Sequence, residues 1–226
     1  MKNKTILIIA AHPDDEVLGC FGTISKLIKQ GNKAYTLILG EGKTSRFLNN
    51  KSQYKELKIL EEEAIKANQS IGISKIFREK FPDNRFDSIP LLDIVKSIEK
   101  VKNILKPDII FTHYKEDLNI DHKITFQAVL TATRPLPYES VKTIYSFEVL
   151  SSTEWNHPTS FNPNVFFDIN KTLKDKIQAM SCYKSELCDF PHPRSLEGIK
   201  LQAKYRGLNV GLEKAEAFQL IRAIND

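Results

Sequence analysis

The run Thr5-Ile-Leu-Ile-Ile-Ala10 is apolar and rich in β-branched residues, and it gives way almost at once to the polar block His12-Pro13-Asp14-Asp15-Glu16. An uninterrupted apolar stretch of this length reads as a strand covered on both faces, because a half-exposed strand would alternate with polar residues. Beyond the block, Val17 to Ile28 carries small and apolar residues at helical spacing and closes at Gly31, a C-terminal stop. A buried strand, a polar loop and a helix in succession form the first half of a parallel βαβ unit, which places Thr5–Ala10 near the middle of a sheet.

The same alternation continues. Strands are expected at Lys33–Leu39, Lys75–Phe81, Asp108–Thr112, Thr143–Val149 and Val165–Ile169. Helices are expected at Tyr54–Asn68, Leu91–Leu105, from His122 through Ala132, at Lys171–Tyr183 and at Ser195–Tyr205. This order implies an α/β fold with a mostly parallel sheet and helices on both faces, in which ligands gather at the carboxyl ends of the strands. At 226 residues the chain can bury one sizeable core, so a single domain spanning residues 1–226 is expected.

Composition narrows the function classes. The net charge of +5 arises from scattered basic residues with no massed block, which favours a small anionic substrate over nucleic acid. The N-terminal apolar run is too short for a membrane span or a complete signal peptide, and a cytoplasmic location is expected. Cys20, Cys182 and Cys188 are odd in number and lack CxxC spacing, which points to free thiols. Assembly into a homo-oligomer stays open.

The chemistry concentrates at two strand ends. His12 and Asp15 lie where the first strand hands over to its helix, and His122 closes a polar loop after the strand at Asp108–Thr112. Two imidazoles and a carboxylate from such places make a catalytic zinc site with a fourth position for water, one ion per chain; iron and cobalt accept the same ligands. Asp14 cannot easily share the orientation of Asp15 and is free to take a proton as general base, while Asp121 fits an outer role, holding an imidazole. The plainer reading of Asp14-Asp15-Glu16 is a helix N-terminal cap, and for Glu16 that reading is preferred. Among substrate contacts, Arg46 could hold a phosphate or carboxylate, with Arg85 and Arg194 as weaker versions, and Trp155 or Tyr183 could stack on a ring. His192, between two prolines, sits in a rigid loop that could cover the site.

Ala11-His12-Pro13-Asp14-Asp15-Glu16 after a buried strand, with Thr112-His113 through Asp121-His122 later, resembles the two metal motifs of the PIG-L (LmbE-like) deacetylase family. Gly40-Glu41, Pro82-Asp83-Asn84, Arg206-Gly207 and Ala215-Glu216-Ala217-Phe218 extend the likeness over nearly the whole chain. The resemblance implies a Rossmann-like fold, zinc on His12, Asp15 and His122, Asp14 as catalytic base, and an N-acetylated sugar as the small-molecule substrate. Many members carry a histidine three residues before the last ligand, where this chain has Asn119, which can steady an oxyanion but cannot act as an acid. His113, on the same loop, is the alternative group near the substrate, as proton donor; its plainer reading is a strand-end histidine bonded to backbone. The rivals are a sugar- or nucleotide-binding protein on the same fold, which the absence of a Gly-x-Gly-x-x-Gly loop disfavours, and a zinc amidase acting on a non-sugar substrate.

Overall fold

The computed structural model describes residues 2–46 and 50–225, and the side chains of 46 and 50–53 are outside the description. In chain order the elements are β1 (Thr5–Ala10), α1 (Asp15–Lys29), β2 (Lys33–Gly40), α2 (Asn50–Ser70), β3 (Lys75–Phe81), α3 (Leu91–Leu105) and β4 (Ile109–His113). They continue with α4 (Ile120–Ala132), β5 (Thr143–Phe147), β6 (Val165–Asp168), α5 (Leu173–Met180), α6 (Leu196–Leu208) and β7 (Ala215–Ala223).

The strands form one sheet in the order β3-β2-β1-β4-β5-β7-β6, parallel from β3 through β5. β1 is central, as its composition requires: Ile6 through Ala10 are all fully buried. Successive side chains leave a strand on opposite faces. Ile6 and Ile8 therefore enter a core shared with Phe21 and Ile24 of α1, Leu60 and Ala64 of α2 and Met180 of α5. Leu7 and Ile9 enter a second core with Ile94 and Ile98 of α3 and Val129 of α4. Burial of each such side chain is worth about 1.5–3 kcal/mol, so a polar residue anywhere in β1 would be costly.

Several features differ from the sequence reading. Residues 215–223 form β7, which was not expected as a strand; it runs antiparallel between β5 and β6. Helix α1 starts at Asp15, two residues before the expected Val17, and α5 covers only Leu173–Met180 of the expected Lys171–Tyr183. Gly31 does close α1, at φ +92°, a left-handed conformation that favours glycine. Cys20, Cys182 and Cys188 are free thiols. Among the described residues no helix is long and apolar enough to cross a membrane.

The chain leaves β1 toward β2 on one side, and β4 lies on the other, so the strand order reverses between β1 and β4. Such a reversal opens a crevice beyond the carboxyl ends of the two strands. Both polar motifs begin there: the loop after β1 carries His12 to Asp14, and the loop after β4 leads to Asn119, Asp121 and His122.

Candidate metal centre and active site

At the end of β1 the backbone turns sharply, and Asp14 adopts φ 97°, in the left-handed region. Aspartate is among the few non-glycine residues found there, and its presence at such a position is a strain that packed neighbours must hold. Asp14 occupies the N-cap position of α1, yet its side chain makes no capping bond. It approaches Arg194 instead, with Oδ2 3.3 Å from Nη1. Glu16 accepts a backbone N–H at the start of α1, as its cap reading expects, but does so from the interior. It is fully buried, and its carboxylate accepts bonds from Tyr183 Oη (2.6 Å), Asn68 Nδ2 (3.0 Å) and the Asp14 N–H (3.1 Å). Burial pushes its carboxyl up to about 7, against the hydrogen bond from Tyr183.

His12, Asp15 and His122 come together with ligand atoms within 4.8 Å of one another. Asp15 Oδ2 accepts the His12 N–H at 2.7 Å and lies 3.4 Å from His12 Nδ1 and 3.3 Å from His122 Nε2. Each imidazole has a second carboxylate on its far side. His12 Nε2 bonds Asp121 Oδ2 at 2.8 Å, and its other ring nitrogen, Nδ1, faces Asp15. Asp117 Oδ1 sits 3.1 Å from His122 Nδ1, a charge contact outside hydrogen-bonding geometry, and the opposite nitrogen faces Asp15. Carboxylates behind ligating imidazoles fix the tautomer and ring orientation that a metal site needs. The donor set fits a divalent ion: two imidazoles and one carboxylate, with room in the cavity for water or substrate.

The electrostatics agree. Burial disfavours the charged form of His122, yet Asp15 and Asp117 outweigh it and raise its pKa to about 9; His12 is likewise raised by Asp121 and Asp15 against burial. The cluster of buried carboxylates calls for positive charge. Asp14 is pushed well above the usual carboxylate range by burial, then by Asp15 and Glu186, with Arg194 opposing.

Asp121 ties the centre to the loop after β3. Its oxygens accept the backbone N–H groups of Asn84 (2.7 Å) and Phe86 (2.9 Å) as well as His12. His12, Asp83 and Asp121 also lie close enough to form a second ligand group, but with three donors already on Asp121 this triplet is scaffold for His12. Asn119 caps α4, its Oδ1 accepting the Asp121 N–H at 2.8 Å, and its Nδ2 donates to Asn84 Oδ1 at 2.8 Å.

A cavity of about 160 Å³ opens over the centre, walled by His12, Asp14, Asp15, Asp83, Asn119 and His122 and also by Lys43, Glu186 and Arg194. His113 is not on this wall. It is fully buried, accepts the Ala11 N–H at Nε2 (2.8 Å) and stacks on His122 with ring centroids 3.9 Å apart, which matches its plainer reading and removes it from contact with a substrate in the cavity. Tyr183 is fully buried on Glu16 and offers no stacking face, while Trp155 packs against His192 outside the lining. Arg85 is exposed and also outside it. The Arg46 side chain lies outside the described residues.

Asp117 is buried and accepts bonds from Thr153 Oγ1 (2.5 Å), the Asn119 N–H (2.9 Å) and Ser152 Oγ, and sequence reasoning gave it no role beyond a place in the likeness. Sequence reasoning also passed over Lys43 and Glu186, and used Asp83 only as part of a likeness. Asp83 follows β3 directly, so the rule that points to strand ends would have found it.

Comparison with known proteins fits this geometry. An uncharacterized deacetylase of Escherichia coli K12, YaiS, is 28% identical over 192 residues, covering 81% of this chain and 92% of the relative. The solved structure of N,N'-diacetylchitobiose deacetylase from Pyrococcus horikoshii superposes with a TM-score of 0.77 at 21% identity, covering 97% of this chain and 84% of that one. The structure of GalB, the 4-carboxy-2-hydroxymuconate hydratase of Pseudomonas putida, superposes with a TM-score of 0.76 at 22% identity over 99% of each chain, so the fold alone does not decide the reaction. The family profile described as GlcNAc-PI de-N-acetylase matches residues 7–133, a span that holds both metal motifs, and the chain therefore belongs to the PIG-L family.

Proposed function

We propose that this protein, as one domain over residues 1–226, is a metal-dependent hydrolase that removes the acetyl group from an N-acetylated amino sugar. The observation that carries the reading is the buried His12–Asp15–His122 triplet with the Asp14 carboxylate beside it on the wall of the same cavity. A divalent ion on the triplet, zinc in the first instance, supplies Lewis acidity that polarises an amide carbonyl and acidifies water.

The residues of the chain do the rest. Asp14, whose pKa is raised by burial and by Asp15, accepts a proton from the attacking water and returns it to the amine as the carbon–nitrogen bond breaks. Asn119 has one amide hydrogen beyond its bond to Asn84, and we assign it to the developing oxyanion. Asp83, Asn84, Ser151, Ser152 and Glu186 offer hydrogen-bonding edges that suit the hydroxyls of one sugar ring, and the cavity is of that scale. Arg46 is retained as a contact to an anionic substituent of the substrate. The free thiols accord with a cytoplasmic setting.

The test is acetate release from a panel of N-acetylated sugars, free and conjugated, by protein stripped with chelator and then reloaded with zinc. Metal-dependent acetate release is expected, with a loss of ~10² to 10⁴ in rate for Asp14→Asn at unchanged metal content. A reloaded protein that releases no acetate from any amino sugar, or an Asp14→Asn variant that turns over normally, refutes the reading.

A further inference from the structure

The strained backbone of Asp14 is held from two directions, and both holds lead to one turn. On the backbone side, the Asp14 N–H donates to Glu16 Oε2 at 3.1 Å, and Glu16 Oε1 accepts Tyr183 Oη at 2.6 Å. On the side-chain side, Arg194 Nη1 bridges Asp14 Oδ2 at 3.3 Å and Glu186 Oε2 at 3.1 Å. Tyr183 and Glu186 are the ends of a single turn after α5, closed by the Glu186 N–H on the Tyr183 carbonyl at 3.0 Å. Between them, Ser185 donates through its N–H (3.2 Å) and Oγ (2.5 Å) to the carboxylate of Glu63 in α2, which anchors the turn.

We propose that the turn Tyr183–Glu186 is a positioning clamp that fixes Asp14 for proton transfer, gripping its backbone through Glu16 and its carboxylate through Arg194. The proposal rests on the reading of Asp14 as the base. Tyr183 and Glu16 are both fully buried and line no part of the cavity, so neither touches a bound substrate, and the hydrogen bond from the Asp14 N–H links them to the proposed base.

The chemistry at Glu16 is demanding. Its two oxygens face three donors, from Asp14, Asn68 and Tyr183. Asn68 cannot turn its amide over to relieve a mismatch, because its Oδ1 accepts Thr36 Oγ1 at 2.7 Å and its Nδ2 also donates to the Ala64 carbonyl at 2.9 Å. A group that only accepts is therefore required. Glutamine would set its own N–H₂ against one of these donors and loosen the grip on the Asp14 N–H. Tyr183→Phe is the milder change, removing one donor and leaving the ring in place.

The experiment is a double-mutant cycle on zinc-loaded protein. The kcat, KM and metal content of Tyr183→Phe are measured in the parent and in the Asp14→Asn background, at a temperature well below every melting point. A misplacement of the base of about 1 Å can cost up to ~10² in rate, so Tyr183→Phe is expected to lower kcat about tenfold in the parent, at parental KM and metal content. In the Asp14→Asn background, where no carboxylate is left to position, it is expected to cause no further loss. Glu16→Gln, as the second variant, is expected to lower kcat further than Tyr183→Phe, again at parental KM. Parental kcat in both Tyr183→Phe and Glu16→Gln overturns the clamp, and so does an equal fold-loss in the two backgrounds, which marks a general structural role. If Asp14→Asn itself keeps parental kcat, the base assignment falls and the clamp with it; if Asp14→Asn is inactive and only the cycle fails, the clamp alone is wrong.

Discussion

Gly19, in the interior of α1, faces Phe147 at the end of β5. A Cβ at Gly19 would stand 2.4 Å from Phe147 Cδ2, 2.6 Å from Cγ and 2.7 Å from Cε2, where carbon atoms settle at about 3.5–4.0 Å. Gly19→Ala therefore sets two effects against each other. The helix gains about 1 kcal/mol, because glycine is that much poorer than alanine in a helix interior. Overpacking usually costs about 1–3 kcal/mol, and here the upper end applies, since the contact is far inside van der Waals distance and Phe147 is fully buried. The expected balance is a loss of about 2 kcal/mol, or roughly 4–8 °C in Tm for a chain of this size. Phe147 meets His113 edge-on at 4.9 Å between ring centroids, and His113 stacks on His122, so the displaced ring presses on a proposed metal ligand. Urea unfolding followed by circular dichroism measures the first effect, and chelator competition for bound zinc the second. Phe147→Leu added to Gly19→Ala should recover part of the stability. A Gly19→Ala variant that is more stable by about 1 kcal/mol, as helix propensity alone requires, would refute the reasoning.

Single alanine replacements of His12, Asp15 or His122 are expected to remove both bound metal and activity, checked by elemental analysis; full zinc content in any of them shows that residue is not a ligand. Asp121→Asn sets an amide N–H₂ either in place of the oxygen that accepts His12 and the Asn84 N–H or against the Phe86 N–H, so zinc affinity should fall ~10- to 100-fold, read by chelator competition. Asn119→Ala should cost about 1 kcal/mol as a lost helix cap and lower kcat by ~10² to 10³ if its amide serves the oxyanion. Asn119→Asp separates the two roles, because it restores the cap without the N–H donor; a return to parental kcat in that variant would exclude the oxyanion role.

The placement of the candidate centre was legible because it follows short-range rules. The apolar run of β1 is unambiguous, and the polar residues that interrupt it must lie at a strand end, as His12, Asp14 and Asp15 do. The part that escaped depends on pairings between distant segments. β7 is built from Ala215-Glu-Ala-Phe-Gln-Leu-Ile-Arg-Ala223, with several good helix formers, and only its place between β5 and β6 makes it a strand. The local pattern reads Glu16 as a cap, and it does accept the Asp14 N–H, but its other partners Asn68 and Tyr183 are 52 and 167 residues away. Asp117 was hidden for a like reason: its partners Ser152 and Thr153 come from the loop after β5. Asn119 was visible as a departure from relatives, but its work as the cap of α4 was not.

The position of β7 has a consequence for how the chain reaches its folded state. Strands β1 through β5 are joined in parallel by crossovers, and they can assemble as the polypeptide emerges from the ribosome. β6, at Val165–Asp168, is made long before its one partner, because it pairs only with β7 at Ala215–Ala223. Until β7 arrives, β5 presents an unpaired edge and β6 lacks the strand that joins it to the sheet among the described residues. Strand insertion between two waiting segments is a contact of long sequence separation, which slows folding. Ribosome-bound chains stopped before residue 215 should therefore be more prone to aggregation and more sensitive to protease within 165–168 than the finished protein.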